Sequence, residues 1–90
     1  MLMFYVYVLK SKQDGMNYIG STNDLKKRLK LHNSGKVYST KYRTPFELIY
    51  YEAYKAEKDA RMRERNLKLR SKAYIQLRRR LIYSLELVRG

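Results

Sequence analysis

The segment MFYVYVLKSKQDGMNYIG at residues 3–20 decides the fold. Met3–Leu9 is rich in aromatic and β-branched residues, which is typical of a β-strand. The polar segment that follows contains Asp14-Gly15, a dipeptide that favours a tight turn. Asn17–Gly20 predicts a second, shorter strand that its glycine can end. The sequence therefore predicts that the two strands pair as a hairpin.

A helix is predicted directly after the hairpin. Leu25, Leu29 and His32 fall at positions i, i+4 and i+7, which is the spacing of one helical face. The preceding tetrapeptide at 21–24, STND, offers several side chains that can cap the first turn. Gly35 can end the helix in the left-handed conformation.

The rest of the chain predicts a third strand and two further helices. These are a strand at Phe46–Tyr54 entered through Pro45, a helix at Ala56–Leu69, and a helix from Ser71 with an apolar stripe of Tyr74, Leu77, Leu81, Leu85 and Val88. The order β-β-α-β-α-α predicts an α+β domain in which helices cover a short sheet. We expect a single domain over residues 1–90, with its core at about 3–69 and a basic helical extension at about 70–90.

Charge is the strongest signal in the composition. Lysine and arginine total 21 against 8 aspartates and glutamates, and the formal net charge is +13. Such a surface attracts polyanions, so the candidates are nucleic acid, an anionic membrane, or no specific partner. Ten tyrosines and two phenylalanines favour nucleic acid, because aromatic rings stack on bases, although tyrosines also suit strands and cores.

The sequence contains no cysteine, which excludes a disulfide framework and a cysteine-based zinc site. This also agrees with a reducing compartment. No apolar run approaches the roughly 20 residues that a membrane-spanning helix requires. We therefore expect a cytoplasmic protein that does not enter a membrane.

The segment KVYSTKYRT at 36–44 is predicted to be a polar, basic loop that contains two tyrosines. Together with a lysine of the first helix, it supplies the predicted nucleic-acid contacts: Lys26, Lys36, Tyr38, Lys41, Tyr42 and Arg43. The alternative is a solvated loop with no partner.

Glu64 is the unusual residue of the second helix. It shares a helical face with Ala60 and Leu67, and a carboxylate on a buried face is unfavourable unless it is paired or binds a metal. One interpretation is a salt bridge to a nearby arginine, such as Arg61 or Arg28. The other is a ligand for a hard divalent cation, because Mg²⁺ often takes only one or two carboxylates.

Arg28 and His32 lie one helical turn apart and so share one side of the first helix. Arginine binds phosphate bidentately and histidine transfers protons near neutral pH, although a lone histidine at a helix end also serves in capping or packing. Tyr7 and Tyr18 lie on the two hairpin strands and can face the same side. A tyrosine can accept a proton if a nearby cation lowers its pKa, but both also fit an ordinary sheet.

Taken in order, these residues resemble the GIY-YIG nuclease superfamily. The matching parts are the first motif at Tyr5-Val6-Tyr7, the second at Tyr18-Ile19-Gly20, then Arg28, His32 and Glu64, and the runs YIGSTNDL at 18–25 and PFELIYYE at 45–52. Both runs are similar to the small stand-alone bacterial members. The resemblance covers residues 3–69, and Tyr5 stands where the first motif has its glycine.

The resemblance implies a GIY-YIG endonuclease-like fold, a three-stranded antiparallel sheet flanked by helices. It implies a metal-dependent endonuclease in which Glu64 holds one Mg²⁺ or Mn²⁺ and Arg28 binds a phosphate oxygen. Tyr7 or Tyr18 deprotonates or orients the attacking water, and His32 hydrogen-bonds to a tyrosine or relays its proton. These five residues are the predicted catalytic set.

We expect the substrate to be DNA, single-stranded or branched, cleaved with little sequence specificity, with RNA left open. Repair, recombination and DNA uptake are equally compatible with these residues. The alternative function is a non-catalytic nucleic-acid-binding module or a subunit of a nuclease complex. We expect a monomer or a weak homodimer, in which the last helix packs on the domain, contacts a second copy or binds the DNA backbone.

Overall fold

The computed structural model describes residues 2–88. Its elements are β1 (Phe4–Ser11), β2 (Asn17–Thr22), α1 (Leu25–Asn33), β3 (Phe46–Tyr54), α2 (Glu57–Lys68), α3 (Lys72–Arg80) and α4 (Ile82–Leu87). The strands form one antiparallel sheet in the order β2-β1-β3. The predicted α+β fold with a three-stranded antiparallel sheet flanked by helices is confirmed.

The central strand β1 separates two apolar layers, because its side chains alternate between the faces of the sheet. Val6 and Val8 face α2 and α3 and belong to a cluster that includes Leu67. Tyr7 and Leu9 point to the opposite face, where they pack near the leucines of α1. The Tyr7 and Tyr18 side chains therefore lie on the face of the sheet opposite to α2.

The second strand is two residues longer than predicted. Gly20 does not end it, because Ser21 and Thr22 continue the pairing with Val6 and Tyr5 of β1. Gly20 itself pairs with Tyr7 in the middle of the ladder. The glycine is required there by a side-chain contact described below rather than by a turn.

The predicted last helix is two helices. The chain bends at Leu81, whose φ of −106° and ψ of 17° lie outside the helical range. The buried Leu81 side chain belongs to the core, and its amide donates to the carbonyl of Arg78 in a tighter turn. Ser71, the expected cap, makes no capping hydrogen bond with its side chain. The bend keeps α4 near the sheet, where Lys10 donates to the carbonyl of Leu85.

The C-terminal segment is part of the main core. Tyr74, Leu77 and Leu81 are buried in the same cluster as Val6, so the core does not stop at residue 69. Packing on the domain, one of the three roles considered for this segment, is therefore what α3 does. None of the helices found between residues 2 and 88 has the length and hydropathy to cross a membrane.

Candidate active site

Tyr7 and Tyr18 lie side by side on the face of the sheet covered by α1. Their ring centroids are 6.4 Å apart, and Tyr7 is 2% exposed. The Tyr7 ring lies directly over Gly20 on the paired strand. A Cβ atom at Gly20 would lie 2.3 Å from the Tyr7 hydroxyl oxygen, so only glycine accommodates the ring.

The end of α1 places His32 against both tyrosines. Asp24 caps the helix by accepting from the Lys27 amide at 3.1 Å, and Gly35 follows it with a φ of +74°. The fully buried His32 ring has its Nε2 2.9 Å from the Tyr7 hydroxyl. Its centroid is 5.0 Å from that of Tyr18, in an edge-to-face arrangement.

Thr40 completes the surroundings of His32. Its hydroxyl lies 2.8 Å from His32 Nδ1, and the residue is fully buried although it belongs to the loop at 36–44. Both ring nitrogens of His32 therefore have side-chain partners. We call Tyr7, Arg28, His32 and Thr40 the tyrosine–histidine network.

Arg28 lies one helical turn before His32 and contacts the same phenol. Its Nε–H donates to the Tyr7 oxygen at 3.4 Å. This is its one side-chain hydrogen bond among residues 2–88, so the terminal amino groups can bind a phosphate. Arginine is suited to this because its planar fork of donors matches two phosphate oxygens.

Burial controls protonation in this network. Burial is the largest influence on the pKa of Tyr7, which is raised above its usual value even though the hydrogen bond and positive charge of Arg28 lower it. Arg28 alone therefore does not bring the pKa of Tyr7 below its usual value. Burial, reinforced by the charge of Arg28, lowers the pKa of His32 to about 4. At neutral pH the phenol carries its proton and the imidazole is uncharged.

Glu64 reaches the site from the other side of the sheet. Its carboxylate accepts from the Ser21 hydroxyl at 2.8 Å, at the edge strand beside Gly20. The Glu64 charge adds to burial in raising the pKa of Tyr7, so it lies within electrostatic range of the network. It makes no hydrogen bond to the other four predicted catalytic residues within the described chain.

The salt-bridge partner expected for Glu64 is corrected by the structure. Neither Arg28 nor Arg61 pairs with it; Lys68, one turn later on α2, lies 2.9 Å from Oε2. Arg61 instead pairs with Glu57 on the exposed side of α2. The Glu64 side chain remains 20% exposed, so solvent and ions reach it.

The groups around Glu64 fit a divalent metal bound mainly by water and substrate. No cluster of three or more His, Cys, Asp or Glu side chains able to hold a metal is found among residues 2–88. Glu64 and Ser21 supply oxygen atoms, and Mg²⁺ commonly combines one carboxylate with waters and phosphate oxygens. Lys68 would have to leave Oε2 for a metal to bind that atom.

The residues predicted to contact nucleic acid differ in solvent exposure and in whether they already form an ion pair within the protein. Tyr38 and Tyr42 are 85% and 82% exposed, and the Lys41 Nζ lies 4.8 Å and 4.9 Å from their ring centroids. Lys26 and Lys36 are also exposed. Arg43 is engaged elsewhere, because its guanidinium pairs with Asp14 at 2.6 Å and ties the two loops together.

Sequence reasoning missed two residues of the site. Ser21 was considered only as a helix cap, whereas it donates to Glu64. Thr40 lies in a segment that showed only a basic and aromatic pattern, and its contact with His32 depends on the loop path. No local sequence signal identifies either role.

Comparison with known proteins places this geometry in a family. Residues 3–79 match the family model described as the GIY-YIG catalytic domain. The chain belongs to the GIY-YIG family. That match extends beyond residue 69 into α3, in agreement with the shared core.

Similar GIY-YIG proteins are known from bacteria. A UPF0213 protein of Bacillus pumilus is 48% identical over 65 residues, 71% of this chain and 65% of that protein. A UPF0213 protein of Clostridium perfringens is 42% identical over 67 residues, covering 73% and 71%. For the first of these, the matched region is slightly less than two thirds of the relative's length.

A solved structure supports the same assignment. The solution NMR structure of a UPF0213 protein from Bacillus halodurans has a TM-score of 0.52 and 34% sequence identity, covering 83% of this chain and 80% of that one. GIY-YIG domains form a nuclease superfamily, which implies a nucleic-acid substrate. The name UPF0213 itself specifies no reaction.

One departure from the GIY-YIG pattern has a structural account. Tyr5 replaces the first glycine of the first motif and packs edge-to-face on Tyr51 of β3, with ring centroids 5.9 Å apart. The Tyr5 side chain thus covers the sheet without entering the tyrosine–histidine network.

Proposed function

We propose that the chain is a metal-dependent endonuclease that hydrolyses phosphodiester bonds in DNA, preferably single-stranded or branched DNA, with little sequence specificity. RNA with unpaired bases falls within the same chemistry. The observation that carries the proposal is the hydrogen-bonded set of Tyr7, His32 and Arg28, with the Glu64 carboxylate within electrostatic range. A cysteine-free sequence and a nucleic-acid substrate support action in the cytoplasm.

Tyr7 is the proton acceptor we assign, because its hydroxyl contacts His32 Nε2. Its oxygen takes a proton from the attacking water while its own proton passes to His32. The water oxygen bonds to phosphorus, the bond to the leaving oxygen breaks, and that oxygen takes a proton from solvent. The negative phosphate raises the pKa of His32 on binding and so favours this transfer. Tyr18 packs on the His32 ring and holds its orientation.

The charged groups stabilise the phosphate as the reaction proceeds. Arg28 donates to the phosphate oxygens, where negative charge increases. Glu64, with Ser21 beside it, would hold Mg²⁺ or Mn²⁺. Such an ion, when bound, supplies Lewis-acid stabilisation of the leaving oxygen.

The loop at 36–44 favours unpaired substrate. Tyr38 and Tyr42 present exposed ring faces with Lys41 between them, and aromatic faces stack on bases that are free of a duplex. Lysine contacts to phosphates add affinity without sequence information. Both features predict weak specificity.

The test is cleavage of labelled single-stranded, duplex and branched DNA, and of single-stranded RNA, with Mg²⁺, Mn²⁺ or EDTA. We expect metal-dependent cleavage that Glu64→Gln abolishes and that Tyr7→Phe lowers by about 100-fold or more. Glu57→Gln, on the exposed side of the same helix, is the matched control and should cleave normally. Binding without cleavage under every condition would replace the proposal with the non-catalytic binding module.

A further inference from the structure

We propose that Thr40 is a positioning residue that holds His32 in the tautomer with its proton on Nδ1, leaving Nε2 free to accept from Tyr7. The inference rests on the proposed function for its catalytic consequence, but the tautomer itself is a property of the folded chain. Its basis is a chain of buried contacts. The Tyr7 hydroxyl lies 2.9 Å from Nε2, Nδ1 lies 2.8 Å from the Thr40 hydroxyl, and that hydroxyl lies 3.4 Å from the carbonyl of Val37.

Counting protons selects one direction along this chain. A neutral imidazole has one N–H and one acceptor nitrogen. With the proton on Nδ1, Tyr7 donates to Nε2, His32 donates to Thr40, and Thr40 donates to the Val37 carbonyl. Every hydrogen in the series then has an acceptor. Arg28 agrees with this direction, because its N–H donates to the Tyr7 oxygen and leaves the phenolic hydrogen to point toward His32.

The opposite tautomer leaves a buried donor without a partner. If Nε2 carried the proton, it would donate to Tyr7, and the phenolic hydrogen would need another acceptor. Within residues 2–88 the Tyr7 hydroxyl forms hydrogen bonds only with His32 Nε2 and the Arg28 donor, so the protein offers its hydrogen no acceptor other than Nε2. Because buried unpaired donors are unfavourable, the Nδ1–H form is preferred.

With its proton on Nδ1, His32 can accept the Tyr7 proton at Nε2 without any rotation of the imidazole ring. When Tyr7 passes its proton to Nε2, the resulting imidazolium still donates from Nδ1 to Thr40. The Thr40 oxygen accepts that bond in both states, so the ring orientation is unchanged through the transfer. Thr40 also belongs to the loop that presents Tyr38 and Tyr42, which connects the proposed substrate contacts to the position of His32.

The experiment uses the full chain with ¹⁵N-labelled histidine. His32 is the only histidine, so its ring nitrogen signals are unambiguous. We expect a protonated Nδ1 and an unprotonated Nε2 in the wild type and in Thr40→Ser. Thr40→Val, which has a similar shape but no hydroxyl, should lose this preference and show proton occupancy on Nε2. Wild-type protein with its proton on Nε2 would overturn the inference without any variant.

Kinetics provide the second readout. Thr40→Val should lower kcat by about 10- to 100-fold with KM little changed, and Thr40→Ser should restore it. Full kcat in Thr40→Val, with the Nδ1 proton retained, would refute the positioning role. If the wild type cleaves no substrate, the proposed nuclease function fails, while the tautomer measurement still decides the structural claim.

Discussion

His32 determines the properties of the site at the scale of single residues. It is fully buried, it contacts two hydroxyl groups, and burial holds it uncharged at neutral pH. A charged imidazole would lose the acceptor nitrogen that Tyr7 needs. Burial keeps the His32 imidazole neutral, with an acceptor nitrogen for Tyr7. The same burial makes the stability of the folded state decrease in acid.

Folding stability should decrease as the pH is lowered from 6.5 to 4. The pKa of His32 is lowered from 6.5 to about 4 in the folded protein, so in this window the unfolded chain binds a proton that the folded chain does not. Stability therefore rises with pH, by roughly 1–3 kcal/mol across the window. Urea unfolding at pH 6.5 and pH 5 measures the slope, and His32→Gln should remove it. An unchanged slope in that variant would contradict the assignment.

Gly20 should be intolerant of a side chain. In Gly20→Ala the new Cβ would lie 2.3 Å from the Tyr7 hydroxyl oxygen and 2.5 Å from Cζ, so the ring must move away from His32. We expect a loss of about 1–3 kcal/mol in stability and at least about 10-fold in cleavage.

Gly15→Ala is the control for this prediction. Gly15 has a φ of +72° but open space around its Cα, so alanine there costs about 1–2 kcal/mol without contacting the site. It should lower the urea midpoint yet retain cleavage. Equal activities in the two variants would contradict the steric argument.

At the scale of elements, an ion pair and its hydrogen bonds join α2 to the sheet. The buried side of α2 is fixed to β3 through Glu52, which accepts from Arg63 at 3.0 Å and from the hydroxyls of Tyr50 and Tyr54. These bonds lower the pKa of Glu52 despite its burial. Glu64 follows Arg63 directly, so this contact anchors the helical turn that carries the proposed metal ligand.

Two arginines of α2 form ion pairs that should contribute differently to stability, because Arg63 pairs with Glu52 of β3 and Arg61 pairs with Glu57 of the same helix. Arg63→Met should cost about 1–3 kcal/mol, because it removes hydrogen bonds from a carboxylate whose side chain is 14% exposed. Arg61→Met breaks a pair with exposures of 67% and 54%, and should change stability by at most about 0.5 kcal/mol. Thermal and urea unfolding compare the variants, and similar losses in both would argue against the role of Glu52.

The whole molecule combines a thin two-layer core with a net charge of +13. Charge on this scale attracts nucleic acid over long distances and makes affinity depend on salt. The proposed stacking of bases on the exposed tyrosines of the loop at 36–44 would act only at contact. The electrostatic contribution and the stacking contribution to binding can therefore be separated by experiment.

Lys41 and Tyr42 should affect single-stranded DNA binding in different ways. Lys41→Ala should reduce the slope of log affinity against log salt by about 0.7, because one phosphate contact is lost. Tyr42→Ala should leave that slope unchanged while weakening binding by about 1–3 kcal/mol through lost stacking. Fluorescence anisotropy at several salt concentrations tests both. A salt slope altered equally by the two variants would contradict this division.

The sequence by itself determined the strands and helices whose formation depends only on residues close together in the chain. Strand 46–54 and the helix beginning at Leu25 were predicted at their observed positions, because residue composition, helical spacing and the presence of capping side chains are local properties. The order of these elements and the ordered tyrosine, arginine and histidine motifs were enough to indicate the GIY-YIG family.

Only the tertiary structure decided contacts between distant residues. It brought Ser21 to Glu64 and Thr40 to His32, and it divided the last predicted helix at Leu81. Each depends on which face packs on the sheet and on where a loop runs. The physical reason is that periodicity specifies the direction of a side chain from its own element, whereas its partner depends on the packing of the whole chain.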